Sequence, residues 1–251
     1  MPERSELDRR RQRAAWLALL AYGPESVAVG ACALALHGIA GLPPSIRPEA
    51  ALPRASNRHD RDGIRLRQFD DGMTVETVGG RKVVNVEWAL AQAVPELPRA
   101  NGLAVLDSAL HTKAISRSGF ELSHDAARGR RGVARRHDLW ALADSRAESP
   151  LESFARLECT DAGLAPDTLQ LPLTNRSGTV VARGDLAWRR RDGRWLIAEL
   201  DGHDVHSDPQ AVFDDRRRQN LMTGTGVVHL LRFTGRDRGS IASTVARTLA
   251  A

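Results

Sequence analysis

Three acidic residues stand where an apolar sheet is expected to pass. Asp185 lies in Gly184-Asp185-Leu186-Ala187-Trp188, and Glu199 and Asp201 lie in Trp195-Leu196-Ile197-Ala198-Glu199-Leu200-Asp201. These segments read as two strands joined by a tight turn, and the length of the turn decides whether the acids meet. A two-residue Asp192-Gly193 loop sets Asp185 opposite Leu200 and turns Glu199 away, because a one-residue slip reverses the face. A three-residue loop, Arg191-Asp192-Gly193, sets Asp185 opposite Glu199 with Asp201 on the same face. Glycine at the last loop position favours the longer loop. Alternation agrees, since Leu186 and Trp188 then share the other face with Leu196, Ala198 and Leu200. Opposed side chains have Cβ atoms about 5 Å apart, and like charges there are destabilising unless something neutralises them. Magnesium is one candidate, because it needs only one or two protein carboxylates. Arg183 or a neighbouring arginine, pairing with the acids as a structural network, is the other.

Glu152 is a fourth acid with two readings. Ser149-Pro150-Leu151-Glu152 opens a helix with serine as N-cap, proline first and glutamate third, the pattern of a capping box. The local pattern favours the cap, and an acid contributed to a site is the alternative. After the hairpin, His203 and His206 lie in a polar loop beside Asp201. Two loop histidines and one acid fall short of a defined zinc site, but a histidine near bound magnesium could act as general acid or base. Arg216 and Arg218 follow Asp214 and Asp215 on a helix expected from Pro209, and their guanidinium groups suit phosphate oxygens. An acidic metal pocket beside arginines suits phosphodiester hydrolysis.

The elements that must position these residues occupy a chain of 251 residues, 42% hydrophobic and 27% charged, with a net charge of +5. That is enough apolar material for one large or two ordinary domains. An arginine-rich basic balance is compatible with polyanions, DNA among them. Cys32 and Cys159 have no metal-binding spacing, which suggests a reducing compartment and no structural zinc. The first residues lack the apolar run of a signal peptide, and the longest apolar stretch, around Val27 to Ala40, is too short to span a bilayer. A cytoplasmic protein with no membrane partner is expected. No dinucleotide-binding GxGxxG, phosphate-binding GxxxxGK[ST] or GxSxG is present.

In order, the chain reads as a helix over 3–22, a second over Glu25–His37, short strands over 50–86, and helices over Val86–Val94 and Leu103–Leu110. His37 is expected to be structural. The basic run from Arg128 to Arg136 is either solvated surface or a rest for DNA phosphates. A polar segment at Ser145–Pro150 marks a domain boundary. Beyond it come the helix at Pro150, the hairpin, a buried strand over Val227–Phe233 and a helix over Ile241–Ala250. The expected fold is α/β (α+β): a C-terminal mixed sheet flanked by helices over 146–251, preceded by a smaller mixed α/β domain over 1–145.

Several of these pieces together carry a resemblance. They are Ser149-Pro150-Leu151-Glu152, Gly184-Asp185-Leu186-Ala187-Trp188, Ala198-Glu199-Leu200-Asp201-Gly202 with His206, Asp215-Arg216-Arg217-Arg218-Gln219-Asn220, and Leu231-Arg232-Phe233-Thr234. Residues 149–234 resemble an actinobacterial domain-of-unknown-function family grouped with very-short-patch-repair endonucleases in the PD-(D/E)xK nuclease superfamily. The resemblance implies a restriction-endonuclease-like core and magnesium-dependent DNA cleavage, with manganese as substitute. By position, Asp185 and Glu199 would be the metal ligands, Glu152 the acid of the first helix, and Arg232, with Arg216 and Arg218, would meet substrate phosphate. Asp201 stands where the superfamily has a lysine, and His206 is the substitute group for activating water. Gly226-Val227 replaces the family's Gly-Trp before the last strand. Residues 14–148 resemble, more weakly, AbiEi-like antitoxins, without their winged helix and with Val83-Val84-Asn85-Val86-Glu87-Trp88 in place of their Thr-Ser-x-x-Arg-Thr. A non-catalytic DNA-binding regulator is therefore the alternative to an endonuclease, and either could work as a homo-oligomer or with a partner protein.

Overall fold

Glycines and prolines punctuate the apolar runs of this chain, and its elements follow those breaks. The computed structural model describes residues 5–53, 58–174, 177–201 and 228–251, and the chain divides into two compact units, Met1–Ser145 and Arg146–Ala251. Both are mixtures of helix and mixed sheet, so the fold is α+β. Counted in residues, the N-terminal unit is the larger of the two rather than the smaller.

The N-terminal unit opens with α1 (Glu6–Tyr22), capped by the Ser5 hydroxyl, which accepts the Asp8 N–H. The single helix expected over Glu25–His37 is instead β1 (Val27–Ala28) followed by α2 (Gly30–His37). Both pieces are apolar and largely buried, so periodicity does not separate them. The sheet is completed by β2 (Glu49–Ala51), β3 (Arg65–Arg67), β4 (Val75–Val78) and β5 (Arg81–Val84), in the order β3-β2-β1-β5-β4. Helices α3 (Val86–Ala93), α4 (Arg99–His111), α5 (Arg117–Ala127) and α6 (His137–Leu142) follow. Of these, α5 and α6 were not anticipated.

Charged groups inside this unit are tied down. The Glu49 carboxylate, 4% exposed, accepts from Arg67 Nε at 2.7 Å and from the Ala31 N–H in the first turn of α2 at 3.1 Å. His37 Nε2 lies 2.8 Å from the Val84 carbonyl, a structural contact. Within the basic run, Arg130 bonds Asp70 at 2.6 Å and covers the Trp88 ring, and Arg136 donates to the Leu97 carbonyl. Part of that run therefore serves the unit's own packing.

The C-terminal unit contains α7 (Pro150–Asp161), β6 (Thr168–Thr174), β7 (Val180–Arg189), β8 (Trp195–Asp201), β9 (Val228–Thr234) and α8 (Ile241–Ala250). Its sheet runs β6-β7-β8-β9, with β6, β7 and β8 successively antiparallel and β9 parallel to β8. Strand β6 was not anticipated; Pro172 within it is tolerated because the strand lies at the edge. One face is covered by Leu151, Ala155 and Cys159 of α7, spaced one helical turn apart, and by Ile241, Ala242 and Val245 of α8. Glu158 of α7 accepts the N–H groups of Gly239 and Ala242 at 2.8 and 3.0 Å, which satisfies donors at the start of α8. Among the described residues no helix is long and apolar enough to cross a membrane.

Where β7 meets β8, Gly184 has no room for a side chain. A Cβ there would stand 2.5 Å from Ile197 Cγ2, and Ile197 is fully buried. Gly184→Ala should therefore overpack the sheet and lower the unfolding free energy by about 1–3 kcal/mol. Urea unfolding of wild type and variant measures the difference, and equal midpoints would show that the sheet absorbs the methyl group.

Candidate functional site

The hairpin turn sets the register of the acids. Arg190 N–H donates to the Arg194 carbonyl at 2.8 Å and Gly193 N–H to the Arg190 carbonyl at 3.0 Å. Gly193 has φ +80°, so the loop is the three-residue Arg191-Asp192-Gly193 with a left-handed glycine at its end. Asp192 accepts the Arg194 N–H, and that bond, with Arg194 and Arg190 nearby, holds its carboxyl below the usual range. The strands then pair from Arg189↔Trp195 to Leu186↔Ala198. Leu186, Trp188, Leu196, Ala198 and Leu200 share one apolar cluster, as alternation requires.

One residue further, the ladder changes character. Continued regularly, the alternation of bonded pairs would aim the Leu200 N–H at the Gly184 carbonyl. It is received instead by the Asp185 carboxylate, at 2.8 Å. The next strand departs at the same level. Leu169↔Leu186 and Leu171↔Gly184 are paired, and between them Gln170 has φ +52°. Leu169 and Leu186 belong to the cluster under α7 and α8, whereas Leu171, Leu173 and Ala182 pack with Ile197 on the opposite face. The β6–β7 pair thus turns over at the level of Gln170 and Asp185. A non-glycine residue held left-handed costs about 1–3 kcal/mol, so the surrounding structure must impose it.

Glu152, 4% exposed, faces this level from α7. Ser149 caps its N–H at 3.2 Å, but the return half of the expected capping box is displaced by one residue. The Glu152 carboxylate accepts the Glu148 N–H at 3.0 Å and, through the same oxygen, the Gln170 side-chain amide at 3.0 Å. On the other side of β8, Glu199 stands level with Arg232 of β9. Arg232 Nε lies 3.3 Å from Glu199 and 3.8 Å from Asp201. Glu199 is buried and Asp201 half exposed at the strand's end.

The Asp185 carboxylate thus binds the peptide N–H that follows Glu199 in the chain, and Glu152 is tied through Gln170 to the strand beside Asp185. The three carboxylates are hard oxygen donors, and magnesium asks for one or two carboxylates with water and substrate phosphate completing its shell; the donor chemistry fits such an ion. Among the described residues no group of three or more His, Cys, Asp or Glu is placed to hold a metal. His203, His206, Arg216 and Arg218 lie outside the described residues. Burial raises both thiols, Cys159 to about 12, which leaves neither as a nucleophile at neutral pH.

A second polar constellation, which sequence reasoning missed, lines a cavity of about 700 Å³ in the N-terminal unit. His124 Nε2 and His137 Nδ1 are 2.9 Å apart, and His124 stacks on Trp140. The two histidines come from different helices, and no local spacing signals the pair.

No protein-family model matches the chain, and no solved structure matches it. Two proteins described as uncharacterized, MT2308 and Rv2248 of Mycobacterium tuberculosis strains CDC 1551 / Oshkosh and ATCC 25618 / H37Rv, are each 34% identical to it over 194 residues. The match covers 76% of the chain and 67% of each relative.

Burial, then the neighbouring His137 and Arg128, lower the proton affinity of His124 below its ordinary value of 6.5. The unfolded chain therefore binds the extra proton first. Stability is full above that value and is lost as the pH falls below it. Urea unfolding from about pH 7.5 to about pH 5.5 should show a steeper loss for wild type than for His124→Gln. Parallel profiles would show that this pair does not couple protonation to folding.

Proposed function

The chain belongs to the family of the uncharacterized Mycobacterium tuberculosis proteins MT2308 and Rv2248, so its chemistry must be argued from its own residues, and we propose that it is a metal-dependent DNA endonuclease. The observation that carries this reading is the break in the β7–β8 ladder. There the Asp185 carboxylate is fixed on the Leu200 N–H beside Glu199, and Glu152 is bound to the residue across the strand from Asp185. Asp185 and Glu199 would hold magnesium, with manganese as substitute. When bound, the ion supplies polarisation of a phosphoryl oxygen and lowers the pKa of an attacking water.

The chain's own groups do the rest. Leu200 N–H orients Asp185, and Gln170 orients Glu152, so neither acid has to be ordered when substrate arrives. Arg232 places positive charge beside Glu199 and Asp201, and with Arg216 and Arg218 it complements the phosphate backbone. Asp201 occupies the place where the resembling superfamily has its lysine, which leaves His206 to take the proton from water. DNA is the partner in this reading and the cytoplasm the compartment, in keeping with two free thiols.

The contacts of Arg232 with Glu199 and Asp201 favour a second reading, a non-catalytic DNA-binding regulator in which the acids form an arginine-paired network. Asp185→Asn separates the two readings, because the amide oxygen still accepts the Leu200 N–H while the negative charge is lost. For the endonuclease, wild type nicks supercoiled plasmid with magnesium or manganese, and Asp185→Asn loses about a hundredfold or more in rate with an unchanged melting temperature. A wild type that leaves DNA intact with either ion, yet retards it in gels with a steep salt dependence, supports the regulator instead.

A further inference from the structure

Gln170 is the one residue inside a strand of this unit's described sheet with a positive φ, and it lies directly between the two paired positions that flank Asp185. Its backbone turns β6 over where β7 turns over. Leu169 faces the α7 and α8 side, Leu171 faces the other, and the partners Leu186 and Gly184 divide in the same way. Its side chain reaches out of the sheet to the Glu152 carboxylate at 3.0 Å. A carboxamide suits that position, because its NH₂ donates to an acid without adding charge. Gln170 therefore touches the site twice: the backbone sets the level at which Asp185 leaves the ladder for the Leu200 N–H, and the amide holds Glu152.

We propose that Gln170 is a positioning residue of the carboxylate site, fixing Glu152 and Asp185 relative to each other through one left-handed residue. The proposal rests on the reading of that site as a metal centre. A purely structural glutamine would be expected on a regular strand or at a turn. This residue keeps an unfavourable backbone conformation between the two paired positions that flank Asp185 while its amide holds Glu152, and such conformations cluster where they serve function.

The test uses the full chain and manganese alone, with affinity read by the spectroscopic loss of free Mn²⁺ and stability by thermal unfolding. Gln170→Gly relieves the left-handed backbone and removes the amide, so melting should stay within a few degrees of wild type while Mn²⁺ affinity falls about tenfold or more. Gln170→Glu keeps the side-chain length but sets a second carboxyl against Glu152. The two acids should then share a proton, and the pH dependence of Mn²⁺ binding should move upward. Should Gln170→Gly fail to fold, that pH profile decides alone, and an unmoved profile overturns the proposal. Wild-type affinity retained in folded Gln170→Gly overturns it while leaving the metal-centre reading intact. A wild-type chain that binds no Mn²⁺ overturns both, whereas loss of binding in Asp185→Asn with retention in Gln170→Gly removes the positioning role only.

Discussion

A buried strand must hand every backbone N–H to an acceptor, and β8 runs through the middle of its sheet with neighbours on both edges. On the β7 edge the supply of carbonyls ends where β7 turns over. The Leu200 N–H is left to the Asp185 carboxylate. This bond makes the rest of the site intelligible. It fixes a half-buried acid on the peptide group that follows Glu199, and it requires a short residue with an acceptor at the place where β7 departs. Gly184 permits the departure, since any side chain there would collide with Ile197. The same irregularity that would weaken an ordinary sheet here holds a charged group at a fixed point.

Much of this was legible in the residues themselves. Gly193 at the end of Arg191-Asp192-Gly193, together with the shared face of Leu186, Trp188, Leu196 and Ala198, is enough to choose the longer loop, and the bond from Arg190 to Arg194 is the one such a loop makes. Counting onward, however, sets Asp185 squarely opposite Glu199, whereas the regular pairs of the ladder stop at Leu186 and Ala198. Register is a property of regular strands, and counting cannot see where a strand ceases to be regular. Strand β6 was hidden for the same reason: its alternation reverses at Gln170 and it contains Pro172. The strand of this unit that escaped sequence reasoning is therefore the one whose irregularity lies beside Asp185.

Glu152 caps its helix and is held from outside it at the same time. Capping uses two groups, the Ser149 hydroxyl on the Glu152 N–H and the Glu152 carboxylate on the Glu148 N–H. The second bond falls one residue before the expected partner, and the oxygen that makes it also accepts from Gln170. The helix start therefore anchors the carboxylate in place. Anchoring of this kind is what a preorganised acid needs, because a side chain already ordered by the fold loses little further freedom when a ligand arrives.

The chain carries its own standard for a structural ion pair. In the N-terminal unit Glu49 and Arg67 meet at 2.7 Å with both side chains at least nine-tenths buried, and the other carboxylate oxygen takes the Ala31 N–H. Such closeness is what offsets the desolvation of two charges. Glu199 is buried as deeply as Glu49, yet Arg232 approaches it only to 3.3 Å, is about a third exposed, and is shared with Asp201 at 3.8 Å. The same two side-chain types thus meet closely inside the N-terminal unit and less closely at the end of β8. An arginine shared in this way places one positive charge beside both acids from the neighbouring strand.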